Sequence, residues 1–117
     1  MNQNVKARWI EALRSGRYTQ GRHLLRSPGD KYCCLGVLCD LAVEDEVGAW
    51  VDLAPGAPDG QHWNLGDSAD GFSSTALTRK VMDWSGVSPL SQDALIQMND
   101  QQGASFEEIA QYIEEEV

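Results

Sequence analysis

The longest apolar run in the chain, Lys31-Tyr-Cys-Cys-Leu-Gly-Val-Leu-Cys-Asp-Leu-Ala-Val43, constrains the fold most. Only Gly36 and Asp40 interrupt its apolar stretch from Cys33 to Val43. It is too short to cross a bilayer, which needs about 20 apolar residues. A run of this length with so little polar relief predicts a helix buried on most of its circumference. Periodicity alone leaves a strand over 32–39 as the competitor, and length favours the helix. The rest of the chain must therefore wrap this segment.

The flanking patterns suit that role. Val5, Trp9, Ile10 and Leu13 recur at helical spacing, with Asn2 or Asn4 as cap and Ser15-Gly16 as stop, predicting a helix over 4–15. Residues 17–26 read as a short strand or an irregular arm, and Ser27-Pro-Gly-Asp30 as a turn. Asp30 is a candidate cap for the central helix. Ala49–Leu53 reads as a strand, with Trp63 and Leu65 as its short partner, and a long loop is expected over about 54–73. Ser73 or Ser74 is expected to cap a third helix and Ser91 a fourth. Ser105-Phe-Glu-Glu108 is a capping box for the last helix. The 117 residues then make one α+β domain, mainly helical around the central buried helix, with a small antiparallel β element from residues 17–26 and 49–65. Trp9, Leu13, Leu35, Leu38, Leu41, Leu77, Val81, Leu95, Ile109 and Ile113 are the expected core.

Charge narrows the function. The net charge is −9, but residues 1–32 hold seven basic and two acidic residues, whereas residues 33–117 hold two basic and sixteen acidic. One reading is that the two parts fold together and neutralise each other. The others are an anion-binding N-terminal face, or an acidic surface for a basic partner. Direct DNA binding is not expected, because most of the surface would repel a phosphate backbone. No apolar segment follows Met1, which predicts no signal peptide, and three cysteines make a poor disulfide framework. Both fit a reducing cytoplasm, with no membrane association.

Three candidate chemistries stand out. Arg17, Gln20, Arg22 and Arg26 lie within ten residues, beside Gly21, and suit a small anionic ligand such as a nucleotide. Glu107, Glu108, Glu114, Glu115 and Glu116 form an acidic helix face suited to a basic partner surface. Cys33 or Cys34 with His23 or His62 would be the elements of a small thiol enzyme, but thiols inside an apolar run are expected to be inert. Their spacing does not suit zinc, and Asp67-Ser-Ala-Asp-Gly71 lacks the alternating ligands of a calcium loop. No metal, no cofactor and no catalytic residue is expected.

The pattern Trp9-Ile-Glu-Ala-Leu-Arg-Ser-Gly-Arg-Tyr-Thr-Gln-Gly21, then Tyr32-Cys-Cys-Leu-Gly-Val-Leu-Cys-Asp40, Met98-Asn-Asp100 and Ser105-Phe-Glu-Glu-Ile-Ala110 resembles a widespread group of small proteins encoded by phages and prophages. The resemblance covers both ends of the chain and implies a shared fold; residues 45–90 are individual. It carries over no activity. It implies a setting, in which small accessory proteins bind and inhibit host regulatory or defence machinery, as anti-CRISPR proteins do. The resulting expectation is a non-enzymatic acidic binder of a host protein, in the host cytosol. A nucleotide-binding protein and a Cys/His enzyme are the alternatives.

Overall fold

A computed structural model describes residues 1–56, 63–67 and 71–117. In it the central apolar run divides. Lys31–Tyr32 is a two-residue strand, β3, and the helix α2 spans Cys34–Glu44. Hydrogen bonding in β3 holds residues 31 and 32 extended, so the helix begins later than the sequence suggests. Its cap is accordingly Cys33, whose Sγ accepts from the Gly36 N–H at 3.4 Å. Asp30, expected as the cap, sits instead in a left-handed turn conformation, φ 56°, and bonds Arg26. Six consecutive residues of α2, Cys34 to Cys39, are buried, as are Leu41 and Ala42 beyond them, and half-buried Asp40 is the polar exception. It accepts from the Tyr18 hydroxyl at 2.6 Å and the Trp50 indole N–H at 3.0 Å.

The remaining elements close around α2. Helix α1 spans Gln3–Arg14, with the Asn2 side chain accepting from the N–H groups of Asn4 and Val5. Its buried stripe is Val5, Trp9, Ala12 and Leu13, and the Trp9 indole N–H donates to the Cys34 carbonyl at 3.0 Å. Strands β1 (Thr19–Gln20) and β2 (Arg26–Ser27) flank β3, parallel and antiparallel to it respectively. A second sheet is an antiparallel meander of β4 (Ala49–Asp52), β5 (Trp63–Asp67) and β6 (Gly71–Ser73). The β residues thus form two small sheets rather than one element. Trp63 and Leu65 pair with Asp52 and Trp50 as expected, whereas β6 falls inside the loop expected over 54–73; residues 57–62 and 68–70 lie outside the described ones.

Two helix starts are also corrected. Ser73 belongs to β6 and the Ser74 carbonyl accepts from the Leu25 N–H, so helix α3 (Arg79–Ser85) starts later, with Thr78 as cap. Helix α4 (Pro89–Ile96) is capped by Ser88, with Pro89 in the first turn where its missing N–H costs nothing. A π-helical turn, Gln97–Gln101, continues it. Helix α5 (Phe106–Glu116) begins with the expected capping box of Ser105 and Glu108. All ten expected core residues are buried. Each leucine so removed from water contributes on the order of 2 kcal/mol before the entropy of ordering is subtracted.

Gly36 sets the closest approach in the fold. Leu25 crosses α2 with its backbone against this residue. A methyl group there would overlap the Leu25 carbonyl oxygen and stand 2.7 Å from its carbon. The glycine inside the helix therefore marks a backbone contact, which is the use that offsets its poor helix propensity.

Candidate functional site

The basic segment is positioned by β1, β2 and a buried amide. Asn99, in the π-helical turn, is fully buried. Its Oδ1 accepts from the Gln20 amide at 2.9 Å and from the Cys34 N–H at 3.3 Å. Its Nδ2 donates to the Gly21 carbonyl at 3.0 Å and to Asp100 Oδ1 at 2.7 Å. Asp100 in turn accepts from the backbone N–H of His23, which is held at φ 73°. Neighbouring residues 99 and 100 of the π-helical turn thus both bond this arm.

The four candidate ligand residues take different positions. The Gln20 amide also donates to the Ala104 carbonyl at 2.8 Å, so both contacts of its nitrogen are internal. Arg26 donates from Nε and Nη2 to Asp30 at 3.0 and 2.7 Å. Its guanidinium stacks 3.9 Å from the Trp63 ring centre, with Tyr32 and Trp50 each 5.6 Å away. Strand register puts Gln20, Tyr32 and Arg26 in one cross-strand row, with Tyr32 between the other two. Arg17 is exposed; its Nε donates to Ser15 at 3.2 Å and its guanidinium lies 5.9 Å from the Tyr18 ring. Arg22 is exposed and its guanidinium passes over Gly103. The aromatic stack on Arg26 was not legible in the sequence, because Trp50 and Trp63 reach it only through the second sheet.

The thiols are enclosed. Burial pushes Cys33 up to about 11, and it holds Cys34 and Cys39 well above the ordinary thiol range. All three are therefore neutral thiols near pH 7 rather than nucleophilic thiolates. His23 is exposed and its Nδ1 lies 3.8 Å from Asp100; His62 lies outside the described residues. Among the described residues no group of three His, Cys, Asp or Glu side chains converges on a point that would hold a metal. None of the described helices is long and apolar enough to cross a membrane.

Arg8 and Arg14 of the N-terminal part do meet acids from the rest of the chain. Arg8 bridges to Asp45 at 2.8 Å and Glu44 at 3.6 Å at the end of α2. Arg14 bridges to Glu107 at 3.1 Å and Glu114 at 3.2 Å on α5. These pairs are largely exposed, and such pairs contribute about 0–1 kcal/mol each.

The five candidate acids of α5 separate accordingly. Glu107 and Glu114 turn toward α1 and share Arg14. Glu108 closes the capping box, and Glu115 accepts from the Gln111 amide at 3.3 Å. Glu116 is exposed, and the last turn holds no basic residue. Beside Arg14 the two helices leave an open groove of about 600 Å³, lined by Ala7, Ile10, Glu11, Arg14, Ser15 and Glu114. The groove was not foreseen, because it requires knowing that α1 packs on α5. Ile10, next to the buried Trp9 on the edge of the stripe, was its one sequence signal.

A family model described as "Domain of unknown function (DUF8296)" matches residues 1–117. No curated protein and no solved structure matches the chain.

Proposed function

The chain belongs to the DUF8296 family, and we propose that this member is a non-enzymatic binding protein whose acidic helical surface engages a basic surface on another protein. The arrangement of α5 carries this reading. One guanidinium, Arg14, serves two carboxylates, and Glu115 and Glu116 follow in a last turn without a basic residue. Negative charge there opposes the helix dipole. A cationic partner would relieve that unfavourable field, and the net charge of −9 would steer it in from a distance. In the phage and prophage setting that the sequence motifs imply, the partner is a host protein with a nucleic-acid-binding channel, and occupation of the channel inhibits it. The anionic-ligand reading is less well supported, because Gln20 and Arg26 are held by internal partners. The enclosed, neutral thiols lend no support to a Cys/His enzyme.

The test is capture from host lysate on the immobilised chain, beside its Glu115→Gln/Glu116→Gln variant. The expected result is a basic protein that elutes at about 1 M salt, where the Debye length is about 3 Å, and that binds the variant more weakly. Capture indifferent to both salt and the substitutions, or no captured protein, would overturn the proposal.

A further inference from the structure

The groove between α1 and α5 has the chemistry of a helix-docking seat. Ala7, Ile10, Glu11 and Arg14 follow one another along α1 at the spacing of a single helical face. The apolar floor, Ala7 and Ile10, covers about one helical turn, and the groove runs on about 6 Å past it to Arg14. Ala7 is exposed and small, so a partner backbone can come close; Ile10 is half-buried and offers an aliphatic surface. The walls are charged with one sign in excess. Glu11, Glu114 and Arg14 line the groove, and Arg14 bridges to Glu114 and to Glu107 beside it, so Glu11 is left in excess of the one guanidinium's two pairs. An apolar floor with an acidic rim is complementary to a helix carrying aliphatic residues on one face and Lys or Arg beside them.

We propose that this groove receives a basic amphipathic helix of the partner, with an aliphatic side chain over Ala7 and Ile10 and basic residues against Glu11 and Glu114. The inference rests on the acidic-surface reading above and adds the site and the shape of the occupant. A small aliphatic ligand would use the floor but not the rim, and simple charge attraction would use the rim but not the floor.

The probes are three synthetic peptides: an amphipathic Leu/Lys helix, a Gly/Lys peptide of equal charge that forms no helix, and a Leu/Glu helix of the same pattern. Binding is read by fluorescence anisotropy and by the methyl resonances of Ile10 and Ala7. The Leu/Lys helix is expected to bind about tenfold more tightly than the Gly/Lys peptide, as burial of one aliphatic side chain would give. It should shift the Ile10 and Ala7 methyls, and the Leu/Glu helix should not bind. Ala7→Arg, an exposed change whose folding is checked by circular dichroism, should abolish the preference for Leu/Lys over Gly/Lys. Equal binding of the two basic peptides, a preference unchanged in Ala7→Arg, or shifts remote from the groove would overturn the groove while leaving the acidic surface standing. Binding of the Leu/Glu helix would overturn the charge complementarity of the rim. No binding of either basic peptide would overturn the groove and count against the acidic surface as well.

Discussion

Replacing Gly36 with alanine should destabilise the protein by about 3 kcal/mol, despite alanine's better helix propensity. The added methyl would overlap the Leu25 carbonyl oxygen, so α2 and the Leu25 backbone must separate. That backbone holds two long-range hydrogen bonds, Cys33 N–H to the Leu25 carbonyl at 3.3 Å and Leu25 N–H to the Ser74 carbonyl at 2.8 Å. Each contributes about 1 kcal/mol net. Leu25 is itself fully buried, and opening its site forfeits about 2 kcal/mol of burial. The gain in helix propensity returns about 1 kcal/mol. For a domain of this size the net loss corresponds to a fall in Tm of about 12 °C, near 4 °C per kcal/mol. Thermal and urea unfolding followed by circular dichroism would measure it. A variant as stable as the parent, or more stable by the propensity difference, would refute the claim that the backbone contact is fixed.

Asn99→Ala should cost about 3–5 kcal/mol, because the buried Cys34 N–H and Gly21 carbonyl lose a partner together; amide hydrogen exchange should show faster opening around residues 20–23. Stability should fall on the alkaline side. Burial pushes the folded Cys33 thiol up to about 11 from an ordinary 9.0, so its stabilisation is present below pH 9 and is lost as pH rises toward 11. Cys34 and Cys39 shift in the same direction, and urea midpoints measured between pH 8 and 11 should therefore decline steadily. Arg26→Lys should lower stability by about 1 kcal/mol, since lysine keeps the charge but loses the planar stack on Trp63 and the two-atom contact with Asp30; an unchanged urea midpoint would show that the stack contributes nothing.

Long-period patterns were readable in the chain, and pairings between distant short segments were not. The stripes of α1 and α5, the capping box at Ser105 and the burial of α2 follow from residues within one or two turns of each other. The two-residue strands around Lys31–Tyr32 carry no period of their own, and exist only because three separated pieces of chain meet. For that reason the sequence suggests too early a start for α2 and offers Asp30 as a candidate for the cap that Cys33 supplies. Ser88-Pro89 held a better start signal for α4 than Ser91, through the proline in the first turn. The acids of α5 could be named from sequence, but their division between Arg14, the cap and the free end depends on where α1 lies. The same dependence hid the groove at Ala7 and Ile10.

The amide of Asn99 has a consequence for the order in which the chain can be completed during synthesis. It bonds the Gly21 carbonyl across 78 residues, and the Gln20 amide reaches the Ala104 carbonyl across 84. Once residues 1–44 have left the ribosome, α1, the arm and α2 are all present, yet the Gln20 side-chain amide, the Gly21 carbonyl and the His23 N–H still lack these partners. They acquire them only when the segment near residue 100 emerges. Those three groups therefore stay open to water until that later segment is made, and truncations ending before Asn99 should yield fragments without a closed core.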